Sequence, residues 1–371
     1  MKKIACVHLL NDYSGSPLIF STVVEGLAGQ GYDCEMYTSA DREGFLSNLP
    51  VTYRHFSYPW VGNRYWRLVL FLWSQWQLFW LLRSRRRELG MIYINTLLPF
   101  GAALAAWWMD KPVVYHLHEV SVRPRLLKRF LRWVARLTAS KVIFVSHYLA
   151  EEEALVGVAD AVVPNALSEK FKAAAQVVEV APGETEALRV LMLCSLKAYK
   201  GVDVFVDLAR QLPEHTFELV LNAEAPEIAE YFAEHTLPRN LHCHARQSNV
   251  HPFYRSAHLL LNLSHPEQWI ETFGMTLLEG MHYGLPCIAP PVGGPAEIVS
   301  DGREGFLIDQ RHLTALVTAI NHLAQHPQEY RIMAQTAQRR AADFSNAELL
   351  KGVETVLLSV YPMTKKRQVS V

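Results

Sequence analysis

Short, unbroken apolar runs alternate with segments of helical periodicity along most of the chain, and this alternation restricts the fold more than any other feature of the sequence. Such strands are typical of parallel sheets that are covered on both faces, with helices forming the crossovers. The pattern breaks between Ala166 and Ala187 and then restarts. At 371 residues the chain also exceeds the size that one hydrophobic core usually supports. We therefore predict an α/β fold with two parallel-sheet domains in tandem, residues 1–166 and 187–346.

The apolar runs also give approximate bounds for the elements. The predicted strands are 4–10, 34–39, 91–96, 112–118 and 141–146 in the first domain, and 188–194, 217–222, 241–245, 258–264 and 285–290 in the second. Ser16 as a cap and Pro17 at the first position indicate a helix that runs from about Leu18 to Ala28. A final helical segment, 347–371, can pack on either domain, and a return to the first domain is one of the two arrangements.

Charge and cysteine usage favour an intracellular globular protein. The 36 basic and 36 acidic side chains give a net charge of zero, so bulk electrostatics gives no reason to expect nucleic acid as a partner. The five cysteines are odd in number and show no CxxC spacing, which favours free thiols in a reducing cytoplasm. We interpret the N-terminal MKKIACVHLL as a core strand rather than a signal peptide. The longest apolar run, Leu68 to Leu82, is shorter than the roughly 20 residues that span a membrane.

The stretch ETFGMTLLEG, which begins at Glu271, places two carboxylates around a glycine at the start of an apolar helix. Ligands of open α/β sheets bind at the carboxyl ends of the strands, where this loop is predicted to lie. Gly274 lets a ligand approach the backbone, and the unpaired N–H groups of Met275 and Thr276 suit a diphosphate. Glu279, one turn along the helix, can accept hydrogen bonds from vicinal ribose hydroxyls. In the alternative interpretation Glu271 only caps the helix electrostatically and Glu279 is a solvated surface residue.

These residues carry a resemblance to a known family. Glu271-x-Phe273-Gly274, Leu278-Glu279 and Gly284-x-Pro286 resemble the signature of retaining nucleotide-sugar glycosyltransferases of family 4, and Pro290–Asp309 continues the match. The resemblance implies the GT-B fold, in which two Rossmann-like domains face a central cleft. It implies transfer of a hexosyl-type sugar from a nucleotide-diphosphate donor with retention of configuration. Neither a metal nor a cofactor is expected, and no Asp-x-Asp motif is present.

The resemblance also assigns donor-binding roles. Lys200, in a Lys-Gly element before a helix, is expected to meet the donor diphosphate, while Phe273 belongs to the donor motif. Where the family often has an arginine, this chain has Ser195, and Lys197 is a candidate to supply the charge. The family's glycine pair in the first domain is reduced to Gly15, which lets the backbone approach the donor or acceptor. A solvated lysine at position 200 and a plain turn at position 15 are the alternatives.

Two residues are expected to act on the sugar itself. His118 ends the strand YHLH at the cleft face, where family members carry a histidine that contacts the donor sugar near the reacting carbon. Glu271 is expected to orient the sugar hydroxyls. We predict that His116 points to the opposite side of the strand and is a packed core histidine. Lys200 and the amides of residues 274–276 would stabilise the departing diphosphate.

Two basic segments point to the acceptor side of the reaction. Residues 60–87 contain five tryptophans and end in RSRRR, and residues 123–137 form a second basic amphipathic pattern. Such helices suit the surface of an anionic membrane, although helices packed on the sheet with solvated arginines are the alternative. The membrane interpretation predicts a peripheral protein on the inner face of the cytoplasmic membrane. The acceptor would then be a saccharide or lipid-linked, as in bacterial surface polysaccharide or lipopolysaccharide synthesis.

Other functions remain open from the sequence alone. A nucleotide-sugar epimerase or a glycosyl phosphorylase can share the GT-B fold. A catalytically inactive membrane-surface scaffold is a third alternative, supported only by the departures at Ser195 and Gly15. An NAD-dependent enzyme is disfavoured, because no GxGxxG motif follows a strand.

Overall fold

The computed structural model describes residues 2–59, 61–120, 122–175 and 187–361. The chain forms two compact units, of which unit 1 is Met1–Asn165 with Asn346–Val371 and unit 2 is Ala166–Ser345. Each unit is built on one parallel sheet with helical crossovers, so the predicted α/β class is confirmed.

Unit 1 contains a seven-stranded sheet in the order β3-β2-β1-β4-β5-β6-β7, and all neighbouring strands are parallel. Its elements up to the last strand are β1 (Lys3–Val7), α1 (Gly15–Gly29), β2 (Cys34–Ser39), β3 (Thr52–Phe56), α2 (Arg64–Ser84), β4 (Leu89–Asn95), α3 (Phe100–Trp108), β5 (Val113–Leu117), α4 (Arg125–Thr138), β6 (Lys141–Phe144), α5 (His147–Glu153) and β7 (Asp160–Val162).

The central strands of unit 1 are buried on both faces, as the unbroken apolar runs predict. The two edge strands, β3 and β7, were not apparent from the sequence. β3 reads TYRHF and β7 reads DAV, and both are largely exposed or half-buried. An edge strand has only one neighbour in the sheet, so its side chains need not form an unbroken apolar run.

Helix α1 begins earlier than the Ser16-Pro17 pair indicates. Gly15 is its first residue and Ser14 its N-cap, so Pro17 lies at the third helical position. The Ser14 side chain does not cap the helix but donates a hydrogen bond to Asp12 Oδ1 at 2.5 Å. Proline is tolerated throughout the first turn, because its missing N–H has no partner there anyway.

Unit 2 contains a six-stranded parallel sheet in the order β10-β9-β8-β11-β12-β13. Its elements are α6 (Glu169–Ala174), β8 (Arg189–Cys194), α7 (Val202–Gln211), β9 (Thr216–Leu221), α8 (Ala225–Tyr231), β10 (Leu241–His244), α9 (His251–Ser256), β11 (Leu259–Leu261), α10 (Met275–His282), β12 (Cys287–Ala289), α11 (Pro295–Ile298), β13 (Gly305–Leu307), α12 (Leu313–Gln325) and α13 (Pro327–Ala342). Strand residues pack in its core with the buried faces of α7 and α12.

The last helix, α14 (Asn346–Val360), belongs to unit 1 although it follows unit 2 in the chain. It buries Leu349, Val353, Val356 and Leu357. The Tyr32 hydroxyl donates a hydrogen bond to Glu354 Oε1 at 2.5 Å, which ties α14 to the segment that follows α1. Unit 1 therefore depends on a segment that lies about 180 residues away along the chain from its last strand.

Candidate functional site

Three loops of unit 2 lie at the carboxyl edge of its sheet, because each follows one of the adjacent parallel strands β8, β11 and β12. The first carries Lys200, the second carries Glu271 and Gly274, and the third carries the Gly293-Gly294 pair. This edge is where open α/β sheets bind ligands. The fold thus gathers residues that are separated by up to 94 positions in the sequence.

Lys200 and Glu271 form an ion pair, in which the lysine Nζ donates to the Oε1 of the carboxylate. The side chains are 13% and 25% exposed, so both still reach solvent. The lysine Nζ also lies 5.3 Å from the centroid of the Trp269 ring, which is stacked on Tyr199. The cation is therefore held by a carboxylate on one side and an aromatic face on another.

The glycine after Lys200 is required by the local backbone. Gly201 has a φ of +78°, which closes the short 3-10 turn Ala198–Lys200. A Cβ at this position would also overlap the carbonyl oxygen of Leu263, two residues after the end of β11. The position of Lys200 thus depends on a left-handed backbone conformation at the next residue, which only glycine adopts without strain.

The N-terminus of helix α10 lies at the same edge of the sheet. Its N-cap is Gly274, with a φ of +109°, and no side chain caps it. The N–H groups of Leu277 and Leu278 donate to the Gly274 carbonyl at 3.0 and 3.2 Å. Within the described part of the chain the N–H groups of Met275 and Thr276 have no hydrogen-bond acceptor. The helix thus presents two free donors and the positive end of its dipole.

The Gly293-Gly294 loop fixes the backbone that carries Glu271. The Gly294 N–H donates to the Glu271 carbonyl at 2.9 Å, and Gly293 has a φ of +74°. A Cβ on Gly294 would overlap the Phe273 backbone. The Phe273 ring points away from the loop surface, since it is buried with an edge-to-face contact to Phe344 at 5.7 Å. Phe273 therefore anchors the loop, and only its backbone is available to a ligand.

Glu279 lies on α10 five residues after Gly274, about 7.5 Å along the helix axis. Its Oε2 accepts a hydrogen bond from the hydroxyl of the fully buried Tyr254 at 2.5 Å. Burial raises the pKa of the Glu279 carboxyl to about 7, and the Tyr254 hydroxyl opposes this rise. A carboxyl in this setting is not a solvated surface group.

His118 follows β5 in unit 1, at the carboxyl edge of that sheet. It is buried, and its ring centroid lies 4.3 Å from that of His116. The prediction that His116 points to the opposite side is wrong, because residues two apart in a strand share a face. His116 is a packed core histidine, as expected, and hydrogen-bonds with the Tyr93 hydroxyl at 2.7 Å. Burial and the neighbouring His116 and His8 hold the His118 pKa well below its usual range, so the imidazole is neutral.

Gly15 lies at the start of α1, in the segment that follows β1. A Cβ at Gly15 would meet no atom within 4 Å, so the unliganded structure does not itself require glycine here. The backbone just after it is fixed, because the Asn95 side chain donates to the Ser16 carbonyl at 3.1 Å and also contacts His8 Nδ1 at 3.0 Å. This links the ends of β1 and β4 to the start of α1.

The structure therefore groups Lys200, Glu271 and the 274–276 backbone on one edge of unit 2, with Glu279 one helical turn further. His118 and Gly15 are likewise at the carboxyl edge of their own sheet, in unit 1. Lys197, proposed as a substitute for the missing arginine, has an exposed side chain. Among the described residues no cluster of three or more His, Cys, Asp or Glu side chains could hold a metal ion. Metal independence stays a prediction.

Sequence reasoning did not find Tyr254 and Trp269. Trp269 lies two residues before Glu271 in the loop HPEQWIETFG, so its position beside the carboxylate was a usable signal. Tyr254 is 25 residues before Glu279, and only the packing of α9 on the sheet brings its hydroxyl to the carboxylate. No local pattern in the sequence indicates that contact.

Two family models match the chain, one for each half. The model of "Glycosyl transferases group 1" matches residues 179–340. The model of "Glycosyltransferase Family 4" matches residues 15–170. The two matches cover most of both units, and the first includes Lys200, Glu271, Gly274 and Glu279.

Characterised and uncharacterised relatives align over part of their length. The chain is 28% identical over 187 residues to N-acetyl-alpha-D-glucosaminyl L-malate synthase of Bacillus anthracis, which covers 48% of this chain and 47% of that protein. It is 25% identical over 236 residues to an uncharacterized glycosyltransferase of Methanocaldococcus jannaschii, with 62% of each chain covered. The alignments thus span about half to three fifths of these relatives.

Solved structures share the fold over nearly the whole chain. Anabaena HepE in complex with UDP-glucose superposes with a TM-score of 0.75 at 21% identity, covering 97% of this chain and 100% of that one. The apo form of the lipopolysaccharide outer core galactosyltransferase WaaB gives 0.72 at 18% identity, covering 97% and 99%. Sucrose-phosphate synthase of Thermosynechococcus elongatus gives 0.75 at 16% identity, covering 97% and 98%. At these identities the likeness establishes the architecture alone, which is GT-B.

Proposed function

Because the chain belongs to the family 4, group 1 glycosyltransferases of GT-B fold, we propose that it transfers a hexosyl-type sugar from a nucleotide-diphosphate donor to a saccharide or lipid-linked acceptor, with retention of configuration. The observation that carries the proposal is the Lys200–Glu271 ion pair beside the uncapped N-terminus of α10. One edge of unit 2 thus offers a cation and free amides for a diphosphate, together with a carboxylate for sugar hydroxyls.

The diphosphate is the ligand group that this edge fits best. Lys200 supplies a point charge, and the N–H groups of Met275 and Thr276 supply two donors at the positive end of a helix dipole. The helix N–H groups are in place before the ligand arrives, and Lys200 meets the diphosphate once the donor is bound. Both then stabilise the negative charge that develops on the leaving diphosphate without further reorganisation during transfer.

Glu271 changes partner in the proposed reaction. Without donor, it neutralises Lys200. A bound diphosphate brings more negative charge to Lys200 than one carboxylate does, so it weakens the ion pair and leaves Glu271 oxygens to accept sugar hydroxyls. The same residue then orients the sugar for attack at its anomeric carbon.

Glu279 is proposed to hold the ribose of the nucleotide. One of its oxygens accepts the Tyr254 hydroxyl, and the remaining acceptor sites suit vicinal hydroxyls. Since the carboxyl has a pKa of about 7, it must lose its proton to accept both hydroxyls at once. Tyr254 favours this charged form and positions the carboxylate.

His118 is proposed to contact the donor sugar near the reacting carbon, as the family resemblance implies. Its neutral imidazole can exchange hydrogen bonds with a sugar hydroxyl but carries no charge to repel an oxocarbenium-like centre. The leaving phosphate is proposed to deprotonate the acceptor hydroxyl, with no divalent ion required.

The acceptor is proposed to be lipid-linked and to belong to bacterial surface polysaccharide or lipopolysaccharide synthesis, at the inner face of the cytoplasmic membrane. The fold likeness to the galactosyltransferase WaaB is consistent with this assignment. No helix among the described residues is long and apolar enough to cross a bilayer.

The test is a thermal-shift screen of the intact chain with UDP-glucose, UDP-galactose, UDP-N-acetylglucosamine and the corresponding GDP and ADP sugars, because a bound ligand raises apparent stability. We expect one donor class to stabilise the protein, and Lys200→Ala to abolish the shift. Arg210→Ala, at an exposed cation in the last turn of α7, is the matched control and should keep it. Hydrolysis or transfer of the stabilising donor should continue in excess EDTA. If no nucleotide sugar shifts the transition, or if Lys200→Ala shifts as the wild type does, the proposal fails.

A further inference from the structure

Seven of the chain's nine tryptophans are exposed on three helices of unit 1, with between 44% and 64% of each residue accessible to solvent. Helix α2 contributes Trp66, Trp73, Trp76 and Trp80, helix α3 contributes Trp107 and Trp108, and helix α4 contributes Trp133. These seven rings define a surface that we call the tryptophan face. Exposed clusters of large apolar side chains usually mark an interaction site.

The three helices form one continuous surface, because α3 packs between α2 and α4. Phe100 of α3 makes edge-to-face contacts with Phe71 of α2 at 5.7 Å and with Phe130 of α4 at 5.2 Å. The Arg83 guanidinium lies over two rings of different helices, 4.7 Å from Trp80 and 4.4 Å from Trp108. The tryptophans of α2 and α3 are thus joined through a shared cation.

Helix α2 packs on unit 1 through a face that includes two polar residues beside Phe71, Leu78 and Leu82. Ser74 and Gln75 are buried, while the tryptophans on either side of them are exposed. The Gln75 Oε1 accepts a hydrogen bond from the Gly101 N–H of α3 at 2.9 Å. A Cβ on Gly101 would overlap the Gln75 backbone, so the two helices are in close contact at this point. These contacts fix the rotation of α2, and the exposure of its rings follows from the fold.

The only charged residues in the two segments that contain α2 and α4 of the tryptophan face are basic. Residues 61–87 contain six arginines, residues 122–138 contain five arginines and one lysine, and neither segment contains an acidic residue. The chain as a whole has zero net charge, so these two segments are more basic than the rest of the chain. Arg85 forms an ion pair with Glu35, and Lys128 and Arg132 form ion pairs with Glu153. Five other arginines of these segments are exposed, namely Arg64, Arg86, Arg125, Arg129 and Arg136.

We propose that the tryptophan face docks unit 1 on an anionic phospholipid bilayer, with α2, α3 and α4 lying in the headgroup layer. Tryptophan is the side chain that favours the membrane–water interface, and the flanking arginines match anionic lipid phosphates. A second copy of this chain fits less well, because a two-fold contact would bring the same cations against each other. An anionic surface removes that repulsion.

Docking does not depend on the donor site of unit 2. Its consequence for the reaction rests on the proposed function, because a docked transferase works on an acceptor that is anchored in the same bilayer. The class of acceptor that the surface selects is therefore a saccharide on a lipid carrier, rather than a free sugar.

The experiment measures co-sedimentation of the intact chain with vesicles of phosphatidylcholine alone and of equal parts phosphatidylcholine and phosphatidylglycerol. We expect binding to the anionic vesicles, a blue shift of tryptophan emission, and weaker binding at high salt. The combined variant Trp73→Ser, Trp76→Ser and Trp107→Ser should lower the partition coefficient by about tenfold or more. Ile332→Ser, at an exposed apolar residue of α13, is the matched control and should bind as the wild type does.

A charge-reversal variant separates the electrostatic part. Arg125→Glu with Arg129→Glu should remove the preference for phosphatidylglycerol, because both side chains are exposed beside the face. The proposal is overturned if the wild type ignores anionic vesicles, or binds both compositions equally. Unchanged binding by the tryptophan variant overturns it as well, as does wild-type self-association that the tryptophan variant loses. Each variant should keep the donor-induced thermal shift, so failure of docking and failure of the donor site are distinguishable.

Discussion

At the residue scale, Glu279 affects both the stability of the fold and the affinity for ribose hydroxyls, and these two quantities depend on pH in opposite ways. Its pKa in the folded protein is raised to about 7 from a usual 4.5, because burial disfavours its charge. Between these values the folded protein binds a proton that the unfolded chain does not, so the free energy of unfolding rises as pH falls through this window. The charged form, however, is the one that accepts ribose hydroxyls.

We therefore expect donor affinity to fall as pH is lowered from about 7 to about 5, while stability against urea increases. Isothermal titration with the intact nucleotide sugar measures the first quantity, since its doubly esterified diphosphate does not titrate in this range. Tyr254→Phe should move the loss of affinity to higher pH, because the hydroxyl that opposes the pKa rise is removed. Glu279→Gln should bind weakly at every pH, and a wild-type pH profile in that variant would contradict the assigned role.

The Lys200–Glu271 pair gives a second prediction at this scale. Glu271→Gln releases Lys200 from its carboxylate partner, so affinity for the free nucleoside diphosphate should stay equal or increase by up to about tenfold. Turnover of the sugar donor should fall by about 100-fold, because the sugar hydroxyls lose their acceptor. Binding of the diphosphate and steady-state transfer are measured on the same preparation. A parallel loss of both quantities would mean that Glu271 only maintains the loop.

The placement of site residues was predictable where it depends on a local motif and not where it depends on packing. The motif around Glu271 identified the loop that carries this carboxylate and the N-terminus of α10, which the structure brings together with Lys200. It also included Phe273, whose ring is in the core against Phe344, because a motif does not indicate which way a side chain points. The error for His116 was one of strand geometry, which the sequence itself could have corrected. The contact of Tyr254 with Glu279 depends on tertiary structure alone.

At the scale of elements, the N-terminus of α10 depends on a glycine with a left-handed backbone conformation. Gly274 has a φ of +109° and Gly302 a φ of +74°, and a Cβ on Gly302 would meet no atom within 4 Å. Gly274→Ala and Gly302→Ala should each lower the free energy of unfolding by about 1–2 kcal/mol, because alanine is strained in this region. Only Gly274→Ala should also weaken nucleotide-sugar binding, since it displaces the N–H groups of the helix start. Urea unfolding and titration calorimetry test the pair, and equal donor affinity in both variants would argue against an amide site.

The apolar runs predicted most of the strands, whereas they did not predict the residues at which several elements begin and end. The central strands of both sheets were predicted because burial on two faces imposes an unbroken apolar sequence. β3, β7 and β13 were missed, since each is an outermost strand of its sheet and is short or polar. Helix α1 starts at Gly15 because the Leu18 N–H already donates to the Ser14 carbonyl, and Asp12 Oδ1 fixes Ser14 by accepting its N–H. Both contacts lie upstream of the Ser-Pro pair that the sequence favours.

At the scale of the whole molecule, unit 1 is completed by α14, which returns after all of unit 2. Sequence periodicity identifies this helix but leaves its partner open, because an apolar stripe fits either sheet. The structure gives the reason for the return. Gly26 of α1 leaves room that the Leu350 side chain fills, and Gly352 of α14 packs against Val163. Small residues on both sides thus allow a close approach that a pattern of apolar residues does not reveal.

This arrangement predicts that a change in α14 destabilises unit 1 selectively. Leu357 is fully buried and the adjacent Leu358 is 37% exposed, so Leu357→Ala should cost about 2–5 kcal/mol and Leu358→Ala less than about 1 kcal/mol. Native-state hydrogen exchange should show the loss of protection in peptides from β1, β4 and β6, at the other end of the chain from the mutation. The donor-induced thermal shift should persist, because the residues that carry it lie in unit 2. Loss of protection confined to peptides of α7 and α12 would mean that α14 stabilises unit 2 instead, which would contradict this prediction.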